Sequence, residues 1–247
     1  MEIDKLEGRN PVMEALRAGR EVDKILVLKG ASEGSIKKII GAAKDKGIPI
    51  QYVEKAKLNE LSESDSHQGV IAFVAAHHYS TVEDIVEKAK KNNKEPFILL
   101  LDEIMDPHNL GSIMRTADAV GVDGIIIPKR RSVGLTAVVA KTSAGAVEYV
   151  PVAKVSNIAQ TIDKLKDEGI WVAGADMSGE KEHYYQDLKG PIALVIGSEG
   201  KGISRLIKEK CDFIVKLPMV GKIESLNASV AAAILMYEVF RQRSMKG

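Results

Sequence analysis

The segment Ile192-Ala193-Leu194-Val195-Ile196-Gly197-Ser198-Glu199-Gly200-Lys201-Gly202-Ile203 sets an unbroken apolar run directly before three closely spaced glycines. A run that is apolar at every position suits a strand covered on both faces, as in a parallel sheet flanked by helices. Positions without a Cβ permit positive φ and close approach of backbone to a ligand. Loops at the carboxyl ends of parallel strands are the usual ligand positions in α/β sheets. The spacing is G-x-x-G-x-G rather than the dinucleotide G-x-G-x-x-G, and no G-x-x-x-x-G-K-[ST] loop is present. The plainer reading is a glycine-rich turn into a helix, to which Glu199 adds a favourable negative charge.

Similar runs alternate with helical patterns along the chain, which predicts an α/β protein with a largely parallel sheet. Strands are expected over residues 97–101, 124–127, 170–174, 192–196 and 213–217. Helices are expected over residues 81–94, 157–168 and 226–241. A front block supplies three further runs at residues 25–28, 48–53 and 70–74, with a helix opened by Ser32, carrying Ile36, Ile39, Ile40 and Ala43 on one face and ended by Gly47. The polar stretch Lys90-Lys91-Asn92-Asn93-Lys94-Glu95 marks a boundary. The expected division is an N-terminal domain over 1–78, a linker helix over 79–95 and a second domain over 96–247.

Composition narrows the function classes. The 247 residues include 35 Lys plus Arg against 34 Asp plus Glu, a formal +1, which excludes a basic coat protein and an acidic tail protein. Acidic and basic side chains are equal in number over residues 1–79, so any RNA site must be a local patch. The best basic cluster is Lys129-Arg130-Arg131, directly after a strand, although composition alone favours a solvated turn there. With 4 Phe, 1 Trp and 6 Tyr, the chain is poor in the aromatics that an RNA-recognition sheet stacks on bases. Cys211 is the only cysteine, which rules out an intramolecular disulfide and a cysteine-based zinc site. His67, His77 and His78 lack ligand spacing, so no metal is expected. The charged start and the lack of a run near 20 apolar residues point to a cytoplasmic protein without a membrane partner.

Two further strand ends carry polar residues. In Leu101-Asp102-Glu103-Ile104-Met105-Asp106-Pro107-His108-Asn109-Leu110-Gly111-Ser112-Ile113-Met114-Arg115 a strand runs into a loop, Asn109 sits where a helix can begin, and Arg115 lies about two turns into it. A purely structural reading makes Asn109 an N-cap and Arg115 a surface residue. In Val215-Lys216-Leu217-Pro218-Met219-Val220-Gly221-Lys222-Ile223-Glu224-Ser225-Leu226-Asn227-Ala228-Ser229-Val230-Ala231, Ser225 or Asn227 can cap a strongly apolar helix.

In this order, N-L-G-S-I-x-R, I-G-S-E-G-x-G and L-P-M-x-G-x-x-x-S-L-N-x-S-V-A resemble the three motifs of the SpoU (TrmH-like) RNA ribose 2′-O-methyltransferases of the SPOUT superfamily. The front block, from Glu7-Gly8-Arg9-Asn10-Pro11-Val12 to Ser66-His67-Gln68-Gly69-Val70, resembles the substrate-binding domain of the branch that methylates a guanosine of 23S ribosomal RNA. The resemblance implies a small N-terminal α/β domain of a ribosomal-protein type and a C-terminal SPOUT α/β domain with a deep trefoil knot. It further implies S-adenosylmethionine as methyl donor, RNA as substrate and a homodimer. By motif position, Gly197, Leu217 and Leu226 would contact the donor, joined by Ile196, Gly200 and Met219. Asn109, Arg115, Glu199, Ser225 and Asn227 occupy the polar catalytic positions. Arg9, Asn10, Lys129, Arg130 and Arg131 are the RNA-contact candidates. The same chemistry on transfer RNA or another ribosomal nucleotide, and a non-catalytic ribosome-assembly role, stay open as alternatives.

Overall fold

The structure is a computed structural model and describes residues 3–20, 22–31, 33–63, 66–75, 79–91, 94–222 and 225–244. Ser32, His77 and His78 lie outside the described residues. Two compact units form, Met1–His78 with Gly134–Tyr149, and Tyr79–Val133 with Val150–Gly247.

The first unit begins β1 (Ile3–Glu7), α1 (Arg9–Arg17), β2 (Val22–Leu28), α2 (Gly34–Asp45), β3 (Ile50–Val53), α3 (Lys55–Leu61) and β4 (Val70–Ala75). The sheet order is β1-β4-β2-β3, with β2 parallel to β3 and β4 antiparallel to both β1 and β2. The three apolar runs expected in the front block are β2, β3 and β4. The charged strand β1 and helices α1 and α3 are additions, because a short segment such as Ile-Asp-Lys-Leu-Glu has too few apolar residues to stand out before its partner strand is known.

The second unit continues with α4 (Val82–Lys91), β5 (Phe97–Leu101), α5 (Pro107–Val120) and β6 (Gly124–Pro128). After α6 (Ala137–Thr142), which belongs to the first unit, come β7 (Val152–Val155), α7 (Ile158–Asp167), β8 (Trp171–Ala175), β9 (Lys181–Glu182), β10 (Ile192–Ile196), α8 (Arg205–Lys210), β11 (Phe213–Lys216) and α9 (Ala228–Ser244). All neighbours in the seven-stranded order β7-β6-β5-β10-β8-β11-β9 are parallel. β5 and β10 are buried at every position, as their sequences require. Ile98, Leu100, Ala193 and Val195 share one core cluster with Ile158, Ile162 and Leu165 of α7.

Within the first unit, residues 134–149 pack on α1 and β1. Arg20 Nη1 donates to Glu148 Oε1 at 3.0 Å with both side chains below 10 % exposed, and the Tyr149 hydroxyl donates to Glu14 Oε2 at 2.6 Å. Gly145 has φ 96°, and a Cβ there would lie 2.2 Å from Glu14 Cγ, so neither the backbone nor the space admits a side chain.

Candidate active site

Parallel β10, β8 and β11 end on one side of the sheet, where loops from all three strands meet. A cavity of about 350 Å³ lies there. Ile196, Val215, Leu217, Met219 and Leu226 give it apolar walls, while Asp176, Glu199 and Lys201 supply charge. Its size falls at the lower end of the range for small-molecule sites. The glycines of the decisive segment have separate reasons. A Cβ on Gly197 would lie 2.1 Å from the Gly202 carbonyl carbon, so the loop could not fold back, and Gly200 and Gly202 have φ 78° and 63°. The turn is closed by Gly202 N–H donating to the Ser198 carbonyl at 2.9 Å.

Three of the expected polar residues meet. Asn109 Nδ2 donates to Glu199 Oε1 at 3.0 Å, Asn227 Nδ2 donates to Asn109 Oδ1 at 3.0 Å and also to Glu199 Oε1, and the Ala228 N–H reaches the same oxygen at 3.3 Å. The starts of α5 and α9 and the glycine loop are thereby tied through one carboxylate oxygen. Asn227 also caps α9, its Oδ1 accepting from Ser229 N–H at 3.0 Å and Val230 N–H at 3.3 Å. Asn109 is not the cap of α5. Asp106 fills that role by accepting from His108 N–H at 2.9 Å, with Pro107 opening the helix, and this frees the buried Asn109 amide for the network.

Ser225, Gly197, Gly200, Ile196, Leu217, Met219 and Leu226 all line the cavity. Arg115 does not. It is exposed on α5 and has no protein partner among the described residues. Lys129, Arg130 and Arg131 form an exposed turn after β6, in which Arg131 Nη1 donates to Glu103 Oε1 at 3.0 Å. In the first unit, Asn10 is exposed, whereas Arg9 is used internally: its Nε donates to the Gln68 carbonyl at 3.1 Å and its Nη1 to Ser35 Oγ at 3.4 Å. His67 is buried, bonded at Nε2 to Asn59 Oδ1 at 2.9 Å, and its Nδ1 accepts from Gly69 N–H at 3.0 Å. Among the described residues no cluster of three or more His, Cys, Asp or Glu side chains could hold a metal.

Asp176 was not singled out in the sequence. It lines the cavity just past β8, and its side chain is 12 % exposed. The available signal was its place at the end of an apolar parallel strand, which a single Asp does not make specific. Burial alone would push its carboxyl up, yet bonds from Lys208 Nζ at 2.7 Å, Ser178 Oγ at 2.7 Å and Ser178 N–H at 3.0 Å hold it below the usual carboxylate value.

Residues 96–237 match the sequence profile of the SpoU rRNA Methylase family, and residues 5–80 match that of the RNA 2′-O ribose methyltransferase substrate-binding domain. The chain belongs to the SpoU RNA methyltransferase family. Its members are enzymes that use S-adenosylmethionine. A putative TrmH family tRNA/rRNA methyltransferase of Bacillus subtilis is 53% identical over 244 residues, covering 99% of this chain and 98% of the relative. The SpoU methyltransferase AviRb of Streptomyces viridochromogenes, solved in complex with the cofactor AdoMet, superposes with a TM-score of 0.83 at 25% identity over 98% of this chain and 91% of its own. A crystal structure of an RNA 2′-O ribose methyltransferase gives a TM-score of 0.81 at 27% identity, over 98% and 89%. The SpoU cavity here fits a donor of that kind: apolar walls suit an adenine, charged groups suit the polar ends, and the glycine loop offers backbone.

Proposed function

We propose that this SpoU enzyme methylates the ribose 2′-hydroxyl of a guanosine in 23S ribosomal RNA. One observation carries the reading: Glu199 belongs both to the cavity lining and to the network with Asn109 and Asn227, so the donor site and the polar machinery share a residue. Gly197, Gly200, Ile196, Leu217, Met219 and Leu226 would hold the donor. When bound, S-adenosylmethionine supplies an electrophilic methyl group on a sulfonium.

The chain's own residues then have distinct tasks. A guanidinium stays protonated in proteins, so Arg115 acts by holding a phosphate and stabilising developing alkoxide charge rather than by abstracting a proton. Glu199 Oε1 is taken by its amide donors, and Oε2 is the oxygen left to accept the hydroxyl proton. Asn109, Asn227 and Ser225 orient these groups.

The reading includes a substrate-binding domain over 1–78, a linker helix over 79–95, a methyltransferase domain over 96–247 with a trefoil knot, and action in the cytoplasm as a homodimer. Support for the dimer comes from α9, where Val230, Ile234, Tyr237 and Phe240 follow one another at helical spacing and are each more than a third exposed. Within one chain Arg115 stands outside the cavity lining, and the dimer is the arrangement that completes the site. The ribosomal target is supported by the front unit, where Asn10 is an exposed candidate for RNA contact and Arg9 shapes the surface; Lys129 and Arg130, with Arg131 shaping their turn, are the candidates in the second unit.

Purified protein, tritiated S-adenosylmethionine and unmodified 23S or transfer RNA test the assignment. Label in a ribose of 23S RNA, reduced about 10²–10³-fold by Arg115→Ala, is expected; label in transfer RNA alone would favour the other substrate class.

A further inference from the structure

Asp176 takes no part in that chemistry, although among the described residues it is the only aspartate lining the cavity. Its surroundings specify what it can still accept. A carboxylate has about four lone-pair sites. Oδ1 is filled by the Ser178 N–H and hydroxyl, whereas Oδ2 has only Lys208 Nζ at 2.7 Å. Gly202 lies close against Oδ2: an added Cβ would be 2.7 Å from that oxygen, and φ is 63°, so a side chain is disfavoured at that position. One acceptor site on Oδ2 therefore remains, on a residue of the cavity wall, with no side chain at position 202 to cover it.

Two kinds of group on the donor could use that acceptor, its ammonium or a ribose hydroxyl. Lys208 already neutralises the carboxylate at contact distance, which removes most of the net attraction for a second cation. A neutral hydroxyl needs only the lone pair, and a hydrogen bond to a charged acceptor is among the stronger ones.

We propose that Asp176 is a donor-binding residue whose Oδ2 accepts a hydrogen bond from a ribose hydroxyl of S-adenosylmethionine. Ser178 and Lys208 are positioning residues, fixing the carboxylate and balancing its charge. This assignment rests on the donor reading of the cavity and adds to it a group that selects ribose over deoxyribose.

Calorimetric binding to the full-length protein tests it without turnover, using S-adenosylhomocysteine, its 2′,3′-dideoxy analogue and 5′-methylthioadenosine, which lacks the amino-acid end. The wild type should bind S-adenosylhomocysteine roughly tenfold or more tightly than the dideoxy analogue. In Asp176→Ala that ratio should fall to about one, while the preference for S-adenosylhomocysteine over 5′-methylthioadenosine is unchanged, as a coupling cycle requires. A general loss of the pocket would weaken every ligand by the same factor and keep the hydroxyl ratio, which would overturn the assignment. Collapse of the amino-acid preference instead would overturn it in favour of the ammonium. Failure of the wild type to bind any of the three would sink the donor reading itself, a result distinct from either.

Discussion

At Glu199 one carboxylate oxygen receives the amides of Asn109 and Asn227 and the first backbone N–H of α9, so charge and geometry are carried by the same atom. Glu199→Gln separates them, because the amide oxygen can still accept these bonds while the carboxylate charge is gone. Methyl transfer should slow by about 10²-fold or more with S-adenosylhomocysteine affinity little changed. A rate equal to wild type across the pH range would remove Glu199 from proton transfer. Asp176 gives a pH effect of known sign. Its folded-state carboxyl is held below its ordinary value, so the stability it contributes is present above the unfolded pKa and is lost as pH falls through the lower folded one. Asp176→Asn should therefore flatten the acid side of a thermal-stability profile. Cys211 is the opposite case: burial, with Asp212 beside it, pushes the thiol up to about 12. It should resist iodoacetamide at pH 8 in the native protein and react once unfolded, which mass spectrometry reads directly.

At the scale of elements, the loops after β5 and β6 carry an unusual feature. Glu103 and Arg131 both have positive φ, 60° and 57°, a conformation that costs a non-glycine residue about 1–3 kcal/mol. Their ion pair is too exposed to repay this, since surface pairs contribute about 0–1 kcal/mol. The Val133 N–H to Ile104 carbonyl bond at 3.0 Å adds a second clasp between the loops. The clasp holds the turn that presents Lys129 and Arg130, so Lys129→Ala and Arg130→Ala should each reduce the log–log salt slope of RNA binding by about 0.7 if each meets one phosphate. Unchanged slopes in a filter-binding series would exclude both as contacts. On α9, Phe240→Glu should convert the proposed dimer to a monomer in light scattering, because it places a charge in the exposed apolar row. These elements also show what the sequence made legible. The parallel strands were visible because burial on both faces leaves apolar runs such as Phe97-Ile98-Leu99-Leu100-Leu101. The convergence of Asn109, Glu199 and Asn227 was legible only through the family motifs, since residues up to 118 positions apart meet only after folding. Asp106 as the true cap, Arg9 as an internal tie and Asp176 in the cavity wall depend on where neighbouring loops fall, which a local pattern does not encode.

At the scale of the molecule, the first unit is built from two separated pieces of chain, because residues 134–149 pack with residues 1–78. Val139, Ala146 and Val147 are buried there, and the Arg20–Glu148 pair is almost dry. Glu148→Ala removes a charged hydrogen bond from this nearly buried pair and should cost about 1.5–3 kcal/mol in denaturant unfolding. A change below 1 kcal/mol would mean that the pair does not hold the segment in place. For the same reason a deletion of the front residues uncovers apolar surface on 134–149, and point substitutions are the cleaner probe of RNA binding. The proposed activity is the transfer of one methyl group to a ribose of 23S ribosomal RNA. Its most direct test is a map of 2′-O-methyl sites in ribosomal and transfer RNA from cells with and without the gene. Loss of a single 2′-O-methylguanosine from 23S RNA, with transfer RNA unchanged, is the predicted result; an unchanged ribosomal map alongside a lost transfer-RNA methyl would contradict it.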